Sequence, residues 1–210
     1  KLAMQKWKEL VDAGYFAPDA QRASPFDADE IALVFTGAMD YWPNVDAVGW
    51  FVREMLPALA ARRPALRLHI VGRQPAPAVR ALAGPGVCVS GTVPDVRPYL
   101  QHARVVVAPL RLARGVQNKV LEAMAMARPV VTAAACAEAI EARLGVELAA
   151  ARSAADFVRE IDALLADAPR AEALGAAARR CVQQRYSWAA RLQAIEHDLQ
   201  ALVGAPICTS

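Results

Sequence analysis

Five short apolar runs constrain the fold more than any other feature of the chain. IALVFTG (31–37), LRLHIVG (66–72), VCVSG (87–91), RVVVAPL (104–110) and PVVTAA (129–134) are rich in β-branched residues and bounded by Gly, Pro or polar positions. A strand with one wet face alternates apolar and polar residues, whereas near-continuous apolar runs fit strands buried on both faces. Helical stretches lie between them. VDAVGWFVREMLPALAARR follows Asn44 as its N-cap and should be kinked or shortened by Pro57; PAPAVRALA, DVRPYLQHA and VQNKVLEAMAMA come next. Alternation of strand and helix predicts a parallel sheet with right-handed crossovers, an open α/β sandwich with helices on both faces.

After a weak sixth strand near VELAAA the pattern turns wholly helical, through SAADFVREIDALLAD, PRAEALGAAARRCVQQRY and SWAARLQAIEHDLQALVG. The expected organisation is a linker or artificially added leader over 1–26, an α/β core over 27–152, a helical extension over 153–204 that packs on the core or leaves it, and a tail over 205–210. In the last helix Trp188, Leu192, Ile195, Leu199 and Leu202 fall at alternating spacings of four and three, a narrow apolar stripe that needs a partner surface.

Composition excludes several classes of function. With 210 residues, 56% hydrophobic and 21% charged, the chain has a globular balance, and a net charge of +3 with Arg scattered among acids gives no nucleic-acid footprint. Cys88, Cys136, Cys181 and Cys208 are far apart with no CxxC pair, so they read as ordinary buried thiols in a reducing compartment, and no metal site is expected. No apolar run approaches the length of a membrane span, and KLAMQKWKEL lacks the apolar core of a signal peptide. The expected location is cytoplasmic. GxxxxGK[ST], GxGxxG, GxSxG and HExxH are all absent, and His69, inside a strand, and His102, near a helix end, read as structural.

Open parallel sheets bind ligands beyond the carboxyl ends of their strands, and the unusual residues cluster there. Gly37 and Gly72 follow the first two strand cores; they are either ordinary turn glycines or points where a ligand approaches the backbone. Arg73 follows the second strand, and Arg111, Arg114 and Lys119 follow the fourth. Gly115, Val116, Gln117 and Asn118 lead into the fourth helix, whose free N–H groups and dipole favour an anion, with Lys119 and Arg73 as fixed cations or as solvated edge residues. Glu122 stands among Val120, Leu121, Ala123, Met124, Ala125 and Met126, so it belongs to no polar face. A carboxylate there needs donors, supplied by a ligand diol or by backbone amides or a nearby Arg.

In their order, FTGAMDYWPN, IVGRQP, VSGTVPDVRPYL, APLRLARGVQNKVLEAMAMARPVV and a YSW before the last helix resemble the C-terminal half of group 1 glycosyltransferases with the GT-B fold, most of all bacterial sugar transferases of exopolysaccharide assembly. The resemblance spans roughly residues 11–204. It implies a Rossmann-like domain that binds a nucleotide-diphosphate sugar as donor substrate, retention of anomeric configuration, no cofactor and no catalytic metal. The family motif holds two glutamates separated by seven residues. Glu122 matches the second, which holds ribose hydroxyls, but Arg114 stands where the first, sugar-facing glutamate is expected. Arg114 would there meet phosphate or a negatively charged sugar, and with Lys119 it forms the expected catalytic pair. Arg73 and Lys119 match positions that present cations to the diphosphate; Thr92 and Val93 match the loop along the base; Gly37 and the segment Gly115 to Val120 complete the expected donor site.

The resemblance further implies a saccharide or lipid-linked acceptor and an N-terminal acceptor domain that precedes VDAGYFAP and is missing here. The full-length protein would work in the cytoplasm, at the inner face of the membrane, and the isolated domain would pair with itself through faces its missing half would cover. The alternative from another class is a non-catalytic nucleotide-binding or scaffold module, with Arg114 marking the lost sugar-handling residue.

Overall fold

The computed structural model describes residues 10–112, 115–188, 190 and 192. Six strands, β1 (Ile31–Thr36), β2 (Leu66–Val71), β3 (Val87–Gly91), β4 (Val105–Ala108), β5 (Val130–Ala133) and β6 (Ala149–Ala151), form one sheet in the order β3-β2-β1-β4-β5-β6. Every neighbouring pair is parallel. The five apolar runs and the weak sixth thus become the six strands, and the sequence order reverses direction between β1 and β4.

Eight helices accompany them among the described residues: α1 (Trp42–Glu54), α2 (Leu56–Arg62), α3 (Pro77–Arg80), α4 (Arg97–His102), α5 (Asn118–Ala125), α6 (Ala134–Ala137), α7 (Ala154–Ala166) and α8 (Ala168–Arg185). Alternate strand residues feed two cores because successive side chains point to opposite faces. Leu33, Phe35, Val105 and Val107 pack with Phe51 of α1, Leu59 of α2 and Phe157 of α7. Val34, Val106 and Ala108 pack instead with Leu100 of α4, with α5, and with Ala178 and Val182 of α8. This double burial is the Rossmann-like architecture expected of near-continuous apolar strands.

Two local expectations are corrected. Asn44 is not an N-cap: the helix begins earlier, at Trp42, with Pro43 in its first turn and Tyr41 as N-cap in an extended conformation, and Asn44 is buried in the first turn. Pro57 does more than shorten one helix, because it opens a new one, α2, after a break at Met55. The thiols divide as well. Cys136 and Cys181 are buried, whereas Cys88 lies on the edge strand β3 with its side chain exposed; Cys208 lies outside the described residues.

The helical extension is anchored by local capping. Ser153 and Asp156 form a reciprocal capping box on α7, and the Asp167 side chain accepts from the Arg170 amide at the start of α8. Helix α8 rests on the turn after α5, where a Cβ at Gly175 would come within 2.2 Å of the Ala127 carbonyl oxygen. Residues 10–26 run along the same side. Val11 donates its amide to the Tyr186 carbonyl at 2.9 Å, and the Gln101 side chain accepts from the Asp19 amide and donates to its carbonyl. Of the apolar stripe, Trp188 is 46% and Leu192 57% exposed; Ile195, Leu199 and Leu202 lie outside the described residues.

Candidate functional site

A cleft of about 770 Å³ opens beyond the carboxyl ends of β1, β2 and β3, beside the first turn of α5. Its walls include Thr36, Gly37 and Ala38 after β1, Gly72 and Arg73 after β2, Thr92 and Val93 after β3, and Gln117, Asn118, Lys119 and Glu122 of the α5 segment. This is the switch point of the strand order, where a crevice forms because the connections from β1 and β4 diverge to opposite faces. A second, smaller pocket of about 100 Å³ between Arg104, Arg128 and Glu172 lies at the opposite edge, where β4 and β5 begin.

The floor is built by close backbone approach. Gly72 has φ +157, and a Cβ on it would sit 1.6 Å from the Gly37 carbonyl oxygen, so no side chain fits there. The Gly37 amide donates to Val71 at 3.1 Å, the Gly72 amide to Gly91 at 3.1 Å, and the Met39 amide to Arg73 at 2.8 Å, which lashes three strand ends together. The Thr36 hydroxyl lies beneath this floor, buried and without a hydrogen-bond partner among the described residues.

Lys119 and Glu122 give the cleft its chemistry. The Lys119 ammonium is lodged 4.3 Å above the Phe35 ring and donates a short hydrogen bond to Asn44 Oδ1. Desolvation in this slot pushes its pKa down to about 7, against the opposing pull of Glu122 and Cys136. Glu122 is half-buried, and burial raises its pKa despite the attraction of Lys119. No donor bonds its carboxylate among the described residues. The other residues of α5 from Val120 to Ala125 are buried, so Glu122 alone turns from the core to the cleft. The amides of Asn118 and Lys119 in the first helical turn have no acceptor among the described residues, which leaves two donors at the positive end of the helix dipole.

The remaining expected residues divide clearly. Arg73 and Thr92 are exposed at the cleft and Val93 is half-buried in its wall. Gly115, in the left-handed region at φ +70, and Val116 lead into α5 without lining the cleft, and Val120 is fully buried in the core. Arg114 lies outside the described residues. Arg111 turns away, paired with Asp46 and stacked 5.1 Å over Trp50. His69 pairs with Glu30 and packs on Phe26, while the His102 ring bonds the Arg22 carbonyl, so both serve structure. Among the described residues no group of three His, Cys, Asp or Glu is placed to hold a metal.

Sequence reasoning missed Asn44 and Tyr41, both of which line the cleft. The signal for Asn44 was present: an Asn just after Pro43 sits inside a helix, where its side chain gains nothing unless it bonds something.

A model of the family described as glycosyl transferases group 1 matches residues 30–167. A search of curated proteins finds no significant match. The fold is shared with Anabaena HepE, solved with UDP, at 16% identity and a TM-score of 0.73 over 91% of this chain and 56% of that one. Sucrose-phosphate synthase of Thermosynechococcus elongatus is similar at 22% identity and a TM-score of 0.71, over 93% and 52%. The C-terminal domain of a Francisella tularensis group 1 family protein, LpcC, matches at 15% identity and a TM-score of 0.64, over 85% and 99%. The chain therefore spans about half the length of the first two and corresponds to nearly all of an isolated C-terminal domain. Since the family match runs from β1 through α7, on a fold shared with a C-terminal domain of that same family, the chain belongs to the group 1 glycosyl transferases.

Proposed function

We propose that the chain is the donor-binding half of a retaining glycosyltransferase, taking a sugar from a nucleotide-diphosphate donor. One observation carries the reading: at the switch point of the sheet, the N-terminal half of α5 presents an unbonded carboxylate, Glu122, within a turn of a desolvated ammonium, Lys119, and two free amides. A carboxylate accepts two vicinal hydroxyls of a ribose, and the ammonium and amides suit a diphosphate. As the sugar leaves, negative charge grows on the diphosphate, and donors already aimed at that place stabilise it without reorganising. Arg73 adds a cation at the mouth, and Thr92 and Val93 offer a wall for the base. Arg114, five positions before Lys119 in the sequence, is assigned to the same charge.

The solved relative with UDP supports a uracil base as the first candidate. The acceptor, a saccharide or lipid-linked sugar, is assigned to an N-terminal domain, and this chain alone binds donor without transferring it. No helix among the described residues is long and apolar enough to cross a membrane; with a lipid-linked acceptor, this reading assigns the reaction to the cytoplasmic face of the inner membrane. A thermal-shift panel of UDP, GDP, ADP and their sugars tests the reading, because a ligand at about 100 times its dissociation constant adds about 2.7 kcal/mol of stability. At least one nucleoside diphosphate raises the melting temperature; no shift across the panel would overturn the proposal.

A further inference from the structure

We propose that Asn44 is a positioning residue that aims the Lys119 ammonium into the cleft and so sets the preference of the site for a nucleoside diphosphate over its nucleoside. The inference rests on the nucleotide-binding reading above. Asn44 is 5% exposed, and its amide is committed at both ends. Nδ2 donates to the Ala38 carbonyl at 2.8 Å, which fixes the orientation of the amide and turns Oδ1 towards Lys119 Nζ. The flipped amide would set two donors against each other and abandon Ala38, so the network assigns the oxygen.

The slot is tight on its remaining sides. A Cβ at Gly37 would come within 2.7 Å of Asn44 Nδ2 and 2.9 Å of Lys119 Nζ, and the Phe35 ring closes the base. A flexible four-carbon stem is thereby held with its charge at one point, which a lysine at a solvated loop edge would not be. An acceptor bonded to the ammonium also favours its charged form against desolvation. The other titratable groups that face it are Glu122 from α5 and Cys136 from α6, with the charged Arg73 across the cleft. Asn44 is the one neutral hydrogen-bond acceptor of the ammonium among the described residues, and it comes from α1, an element otherwise concerned with the opposite core.

The chain has four lysines, three of them in the first eight residues, so a spectrum of the protein labelled with [ε-13C]lysine is simple and Lys119→Met assigns the signal of interest. Titrating wild type, Asn44→Ala and Asn44→Asp should move the Lys119 midpoint down in the first variant and up in the second, each by on the order of half a unit or more. Calorimetry with whichever of UDP, GDP or ADP binds wild type, against its own nucleoside, should show about a tenfold loss for the diphosphate in Asn44→Ala and less than about a twofold change for the nucleoside, the size of one charge-assisted hydrogen bond. Asn44→Asp, which keeps size and an acceptor, carries the titration should Asn44→Ala lose the fold. A Lys119 midpoint unmoved in a folded variant overturns the proposal, as does an equal loss for nucleoside and diphosphate. Midpoints that move in a protein whose wild type binds no nucleoside diphosphate would leave the positioning of Lys119 by Asn44 standing and sink the nucleotide reading, together with the selectivity drawn from it.

Discussion

At the scale of single residues, the cleft holds charge and polarity at a cost to the stability of the fold. The Lys119 pKa falls from an ordinary value of 10.5 to about 7 by desolvation. Between about pH 7 and 10.5 the unfolded chain therefore binds a proton that the folded chain has released, so stability rises with pH through that window, and the full penalty of the buried ammonium is present below pH 7. Lys119→Met should accordingly raise the melting temperature at pH 6 and do so much less at pH 10, as differential scanning fluorimetry in the absence of nucleotide would read. Equal shifts at both pH values would contradict the desolvated slot. Thr36 makes a parallel case. The residue is 4% exposed and its hydroxyl is buried and unbonded among the described residues, and an orphaned buried donor costs about 1–3 kcal/mol. Thr36→Val keeps the shape and removes that cost, so urea denaturation should show a stability equal to or about 1 kcal/mol above wild type; a loss comparable to a cavity mutation would reveal a bonding partner for the hydroxyl.

At the scale of elements, helix α5 joins fold and function because its buried residues lock it against the sheet while Lys119 and Glu122 face the cleft. Its seat depends on α8, whose Gly175 lies against the Ala127 carbonyl. Gly175→Ala would normally stabilise a helix, but here the added methyl overlaps backbone, so a loss of about 1–3 kcal/mol is expected in chemical denaturation; a gain would show that the α5–α8 contact yields. The strands were legible because burial on both faces writes itself as unbroken β-branched runs, and Glu122 was legible because a lone carboxylate breaks an otherwise apolar helix. Asn44 was not, since its role depends on Lys119, 75 positions away, and on the Ala38 carbonyl. The small helix α6, AACA, carries no period long enough to read. Val120 illustrates the opposite limit: adjacent to Lys119 in sequence, it faces the core because successive helical residues lie about 100° apart.

At the scale of the whole molecule, the chain shares the fold of a C-terminal domain and spans about half the length of the larger relatives it matches. Trp188 and Leu192 are exposed, and light scattering at rising concentration should show self-association that Trp188→Ser weakens; a strict monomer at high concentration would contradict that expectation. The central claim concerns the cleft. Titration calorimetry of the nucleoside diphosphate that stabilises wild type, repeated with Glu122→Gln, tests it most directly, because the substitution keeps size and shape while replacing a charged acceptor of the ribose diol by a neutral one. The account predicts binding weakened by about 1.5–3 kcal/mol, roughly ten- to a hundredfold, with the fold retained. Unchanged affinity in a folded Glu122→Gln variant would contradict it and assign that carboxylate to structure alone.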